Sequence, residues 1–100
     1  MAKDIKEIHK KHLADPEVAS EYLNQAFDTR DQAVILMAIR NVVDAQDKGL
    51  SGVASLADVG RESLYKTLSE KGNPKLDNLS KLLHSVGLQL CVKPERKSME

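Results

Sequence analysis

The chain has 100 residues, a mass of 11.1 kDa and 15 basic against 15 acidic residues. Such a length allows one compact domain. Aromatic residues make up 3% of the sequence and cysteine occurs once, which excludes a fold that stacks single-stranded nucleic acid on aromatic side chains and a disulfide framework. The longest apolar run, 33–39, is far shorter than the ~20 residues that cross a bilayer, and the charged first residues do not resemble a signal peptide. We expect a cytoplasmic protein that does not insert in a membrane.

Charge is distributed unevenly along the chain. A net charge of zero lacks the overall basicity typical of nucleic-acid-binding domains. Residues 12–47 contain two basic and seven acidic side chains, whereas residues 61–81 contain five basic and three acidic side chains. The first stretch is therefore net acidic and the second net basic, so we expect two electrostatically different faces.

The first half of the sequence predicts helices. A short amphipathic segment over 3–13 is followed by Asp15-Pro16-Glu17, which is typical of a helix start because it combines an N-cap, a first-turn proline and a carboxylate. Thr29 and Gln32 match a capping box and predict a second helix over 30–47, whose apolar run AVILMAI marks the centre of the core. The helix that begins at residue 16 is expected to bury Val18, Tyr22, Ala26 and Phe27.

Three shorter helices are predicted between residues 49 and 87, separated by turn signals at 58–60 and 71–74. Ser51 is the expected N-cap of the first. The second covers 61–70 and begins after Gly60, with Leu64 and Leu68 inward. Asp77 is the expected N-cap of the third, which buries apolar residues and ends at Gly87. Short connections require these helices to pack on each other.

Residues 88–93 alternate apolar and polar side chains, which predicts a β-strand that stops at Pro94. A single strand needs a partner for its amides, either across a two-fold axis or in the sheet of another protein. The predicted fold is all-α, a bundle of five to six helices with one short C-terminal strand paired across a dimer. The predicted organisation is an N-terminal helical arm over 1–28, a helix-turn-helix domain with the strand over 29–93, and a disordered tail over 94–100.

The helices on either side of residues 58–60 have the arrangement that presents a helix to the major groove of DNA. In the second helix, Arg61 is predicted to bind guanine, and Lys66 is predicted to bind a base or a phosphate. Glu62 is predicted either to accept a hydrogen bond from cytosine or to pair with Lys66 one turn later on the same helix. The predicted phosphate contacts are Ser51, Ser63, Lys71, Asn73 and Lys75. The alternative is an ordinary amphipathic helix whose charged face is merely solvated.

The stretch from Gly49 to Leu90 resembles the helix-turn-helix of phage-repressor-like regulators, and it is most similar to HigA-like addiction-module antidotes. RESLYKTLS, GNP and VGLQL carry most of this resemblance, while AIRNVVDAQ and DPEVASEYLNQAF are similar to the N-terminal half of the family. The resemblance implies a cytoplasmic protein of bacterial or prophage origin that neutralises a small RelE- or HigB-like ribonuclease toxin and represses the operon that encodes both. Our first hypothesis is therefore a homodimer that binds a palindromic double-stranded DNA operator and whose acidic stretch attracts a small basic toxin. Asp58 and Gly60 depart from the family's usual glycine and hydroxyl cap in the turn.

No enzyme chemistry is predicted, because the sequence offers no paired acid and base, activated nucleophile or metal set. His9 and His12 have helical spacing but no further metal ligand nearby, so we expect no cofactor. Two other functions stay open: a stand-alone prophage regulator without a toxin, and a protein-interaction module that does not bind DNA and adds its strand to a partner's sheet.

Overall fold

A computed structural model of the chain describes residues 12–57, 60–69 and 72–95. Within these ranges the chain forms five helices and no strand, so the predicted all-α class is confirmed. None of the five is long and apolar enough to cross a membrane. Most of the segment predicted over 3–13 lies outside the described residues, as do His9, Asp58, Lys71 and residues 96–100. The helices are α1 (Pro16–Asp28), α2 (Gln32–Asp44), α3 (Gly49–Ala57), α4 (Arg61–Thr67) and α5 (Leu76–Ser85).

Helix α1 begins where the sequence predicts. The Asp15 carboxylate accepts the backbone N–H of Glu17 at 2.9 Å, and Pro16 occupies the first turn. The buried side chains of α1 are Ala19, Leu23 and Ala26, which recur at helical spacing. Of the predicted inward residues, Ala26 is confirmed, Val18 and Tyr22 are half-buried, and Phe27 is wrong because it is 37% exposed.

The turn between α1 and α2 differs from the prediction. Thr29 ends α1, and its hydroxyl donates to the carbonyl of Ala26 at 2.6 Å. Asp31 is the N-cap of α2 and accepts backbone N–H groups at 3.0 and 3.4 Å. The predicted Thr29 cap is therefore wrong, because Arg30 reverses the chain with a φ of 59° and brings Asp31 to the capping position.

Helix α2 is the centre of the core, as the run AVILMAI predicts. It packs against α1 and α3, and α3 in turn packs against α4 and α5. The helix ends at Asp44 rather than at residue 47, and Gly49 is the first residue of α3. The largest fully buried side chains are Leu36, Ile39, Val42, Val43 and Val53. Helix α2 therefore holds α1 and α3 in the core, and α3 holds α4 and α5.

Helix α5 begins one residue after Lys75, which is its N-cap without a side-chain bond, so the predicted Asp77 cap is wrong. Its C-terminal end matches the prediction. Gly87 has a φ of 86°, its N–H donates to the carbonyl of His84, and the N–H of Leu88 donates to that of Leu83. This pair of bonds is a Schellman motif.

Residues 88–95 have no regular secondary structure, so the strand predicted over 88–93 is not confirmed within the chain. A Cβ added at Gly87 would lie 3.4 Å from Pro16 at the start of α1. At the other end, Glu95 pairs with Arg30, just beyond the end of α1. The segment is thus anchored near the start of α1 at one end and just beyond the end of α1 at the other. Among the described residues, no backbone hydrogen bond joins 89–95 to the rest of the chain.

Candidate functional site

The candidate site is the outer surface of α4, which packs against α3. Gly60 is the N-cap of α4, with φ −69° and ψ 143°. Because glycine has no side chain, no side-chain hydrogen bond caps this helix. The helix ends at Thr67 instead of residue 70, and the Ser69 hydroxyl then donates to the carbonyl of Lys66 at 2.8 Å. Leu64 and Leu68 are buried, as predicted. The opposite side of the helix is consequently presented to solvent.

The exposed side of α4 brings together four of the predicted DNA-contacting residues. They are Arg61, Glu62, Ser63 and Lys66, all exposed. Among the described residues, neither Arg61 nor Lys66 forms an ion pair. Both cations are therefore available to a ligand on this surface.

The other predicted contacts lie on neighbouring segments. Ser51 is exposed but lies inside α3, so its predicted role as a helix cap is wrong. Asn73 and Lys75 are exposed in the connection before α5, and Lys71 lies outside the described residues. Gly72 of this connection is buried, and its carbonyl accepts the Gln32 side-chain amide at 2.5 Å. This bond ties the connection to the start of α2.

Two arginines lie over the ring of Tyr65, a residue 44% exposed on α4. The guanidinium carbon of Arg61 is 5.8 Å from the ring centroid, and that of Arg40 is 6.0 Å away. Sequence reasoning missed Arg40, because this residue belongs to α2 and to the acidic stretch of the chain. The spacing of Arg61 and Tyr65, four residues apart on one helix, was a usable signal for their contact.

A second exposed surface lies on α1, α2 and the turn between them. Val34 and Met37, 39% and 63% exposed, lie on the same side of α2 as the exposed Asp44. Phe27 and Asp28 at the end of α1 are also exposed. This surface, hereafter the acidic α1–α2 face, combines apolar side chains with carboxylates. Among the described residues, no cluster of three or more His, Cys, Asp or Glu side chains could hold a metal ion.

Comparison with known proteins identifies a family and a relative. A family model described as probable addiction module antidote protein matches residues 5–94. An uncharacterized protein of Haemophilus influenzae is 33% identical over 85 residues, which cover 85% of this chain and 86% of that protein. No solved structure matches the chain significantly.

Proposed function

This chain belongs to the family of probable addiction module antidote proteins, and from that premise we propose that it is the antitoxin of a type II toxin–antitoxin module. It neutralises a RelE- or HigB-like ribonuclease toxin by direct binding and represses its own operon by binding DNA. Membership of the family over residues 5–94 is the observation that carries the proposal. The protein acts in the cytoplasm, where the toxin's RNA substrates are.

In the DNA-binding half of the proposal, α3 and α4 act as a helix-turn-helix. Helix α4 enters the major groove with its exposed side, and its buried leucines hold it against the core. A homodimer would present two such helices to successive major grooves about 34 Å apart on a palindromic operator. Phosphate contacts come from Ser51, Ser63, Asn73, Lys71 and Lys75.

Substituting the two cations of α4 tests this half. Arg61→Ala and Lys66→Ala should each weaken binding to the operator about 10-fold to 100-fold, the range that loss of a base contact produces. Lys75→Ala should weaken binding to all duplexes alike and flatten its salt dependence, because a phosphate contact carries no sequence information. Fluorescence anisotropy with the chain's own promoter and an unrelated duplex measures both effects. DNA recognition by α4 would be contradicted if no specific complex formed at low salt. It would also be contradicted if a specific complex formed whose affinity neither Arg61→Ala nor Lys66→Ala changed.

The toxin-binding half rests on the acidic α1–α2 face. Exposed carboxylates attract a basic protein and speed its association. Val34 and Met37 supply exposed apolar surface, and burial of this surface on binding would stabilise the complex. Covering the RNA-binding surface of a ribonuclease needs no chemistry from the antitoxin. The N-terminal arm over 1–28 and α2 would together hold the toxin.

Shortening Met37 tests the toxin-binding half. Met37→Ala should weaken binding about 10-fold, because truncation of a buried interface side chain costs more than about 1 kcal/mol at the few positions that dominate binding. Ser80→Ala on α5 is the control, since Ser80 is also exposed but lies on another helix. Calorimetry with the product of the adjacent reading frame measures both. Equal affinities for the two variants would remove Met37 from the interface.

The segment over 88–95 supports the proposed homodimer. Its Leu90 and Val92 are exposed, and the backbone amides of residues 89–93 make no hydrogen bond to the rest of the described chain, so they can form a strand with the same segment of a second copy across a two-fold axis. The same exposure favours the alternative of an interaction module that adds this strand to a partner's sheet and does not bind DNA. A stand-alone prophage regulator is the other alternative, and it predicts that no toxin-sized reading frame adjoins the gene.

A further inference from the structure

Arg40 and Arg61 reach the same aromatic ring from two different helices. Arg40 lies on α2 and Arg61 on α4, and both guanidinium carbons lie within 6.0 Å of the Tyr65 ring centroid. A guanidinium at this distance from an aromatic face is held by a cation–π interaction. Tyr65 therefore draws Arg40, the one basic side chain of α2, to the margin of the α4 surface.

The two arginines do not use the carboxylates nearest to them in the sequence. Asp44 lies one helical turn beyond Arg40, and Glu62 follows Arg61, and both carboxylates are exposed. Within the described ranges, neither arginine forms an ion pair or donates a hydrogen bond to the protein. Each of the two cations thus lies within 6.0 Å of the centroid of the same ring with its hydrogen-bond donors unused, and cations with unused donors attract an anion.

The planar guanidinium fork binds phosphate through two parallel hydrogen bonds. Arg40 is not on the helix that would enter the groove but beside it, and the margins of a DNA groove are lined by phosphates. We propose that Arg40 binds a backbone phosphate of the operator duplex and that Tyr65 is a positioning residue that directs Arg40 to the backbone and Arg61 to the bases. This inference rests on the proposed binding of DNA by α4.

The test measures how the full-length protein binds two duplexes, its own promoter and an unrelated sequence of equal length, over a range of salt concentrations. Loss of one phosphate contact removes about 0.9 from the slope of log affinity against log salt, which corresponds to about an eightfold loss at 0.1 M salt. Arg40→Ala and Arg40→Gln should both produce this loss on both duplexes. Lys81→Ala, which removes an exposed cation from α5, should change affinity less than about twofold.

Substitutions of the ring test its positioning role. Tyr65→Phe keeps the aromatic face and should bind both duplexes nearly as the unsubstituted protein does, whereas Tyr65→Leu removes the cation–π contacts and should weaken both. Tyr65→Leu should have little further effect when Arg40 and Arg61 are already alanine, because the ring then has no cation to hold. Equal affinities of Tyr65→Phe and Tyr65→Leu would overturn the positioning role.

Two outcomes separate this inference from the proposed function. If the unsubstituted protein binds its promoter specifically and Arg40→Ala behaves as Lys81→Ala does, DNA binding stands and the phosphate contact is overturned. A loss confined to the promoter would also overturn it, because it would make Arg40 a base-contacting residue. If the unsubstituted protein binds neither duplex, the DNA-binding half of the proposed function fails and the inference fails with it.

Discussion

Gly72→Ala should destabilise the protein by about 3 kcal/mol, at the upper end of the cost of overpacking a core. A Cβ at this position would lie 2.0 Å from the carbonyl oxygen of Thr67 and 2.8 Å from that of Lys66. Both are backbone atoms at the end of α4, so no side-chain rotation relieves the clash. The N–H of Gly72 also donates to Ser69 at 2.8 Å, which anchors the backbone where the methyl group cannot fit.

Gly60→Ala is the matched control for Gly72→Ala. A Cβ at Gly60 would meet only Ser63, at 3.6 Å from its hydroxyl oxygen, and the N-cap would lose about 1 kcal/mol or less. Thermal unfolding followed by circular dichroism should show a fall of about 15 °C for Gly72→Ala and a much smaller one for the control. Similar unfolding temperatures for the two variants would contradict the close approach of Gly72 to the backbone carbonyls of Lys66 and Thr67.

Truncation of Leu36 should cost about 2–5 kcal/mol, the range for a leucine replaced by alanine in a packed core. Leu36 is 2% exposed on α2 and belongs to the hydrophobic core cluster. The substitution leaves a cavity on the helix that contacts both α1 and α3. For a domain whose total stability is about 5–15 kcal/mol, this loss populates the unfolded state measurably.

Met37→Ala is the control for this substitution as well as the toxin-binding variant. Met37 is the next residue of the same helix but is 63% exposed, so its truncation should change stability by less than about 0.5 kcal/mol. Urea unfolding of Leu36→Ala and Met37→Ala measures the difference. Comparable losses in the two variants would mean that α2 buries a different face from the one described.

Local signals in the sequence predicted a helix end correctly where a single residue type determines where the helix begins or ends. Asp15 caps α1 and Gly87 ends α5 as predicted, because an N-cap carboxylate and a glycine with positive φ act within a few residues of their own position. Thr29 and Asp31 are both good caps, and the choice between them depends on the conformation of Arg30. No property of the three residue types decides that conformation.

Features that depend on distant contacts were not predictable in the same way. The contact of Arg40 with Tyr65 arises only when α2 and α4 are both in place, and periodicity carries no information about it. Phe27 is a large apolar residue of the kind that usually lies in a core, yet it is exposed. The exposed face of α4 was predictable, because Leu64 and Leu68 define the buried side by their spacing.

Met37 and Arg40 lie three residues apart on α2, about 4.5 Å along the helix axis, and are neighbours on one face of it. The proposed toxin contact and the proposed phosphate contact thus belong to one rigid segment. A toxin over Met37 would occupy space next to the duplex and change the field at Arg40, so the two ligands would not bind independently. Thermodynamic linkage then requires the duplex to alter toxin affinity by the same factor as the toxin alters affinity for the duplex.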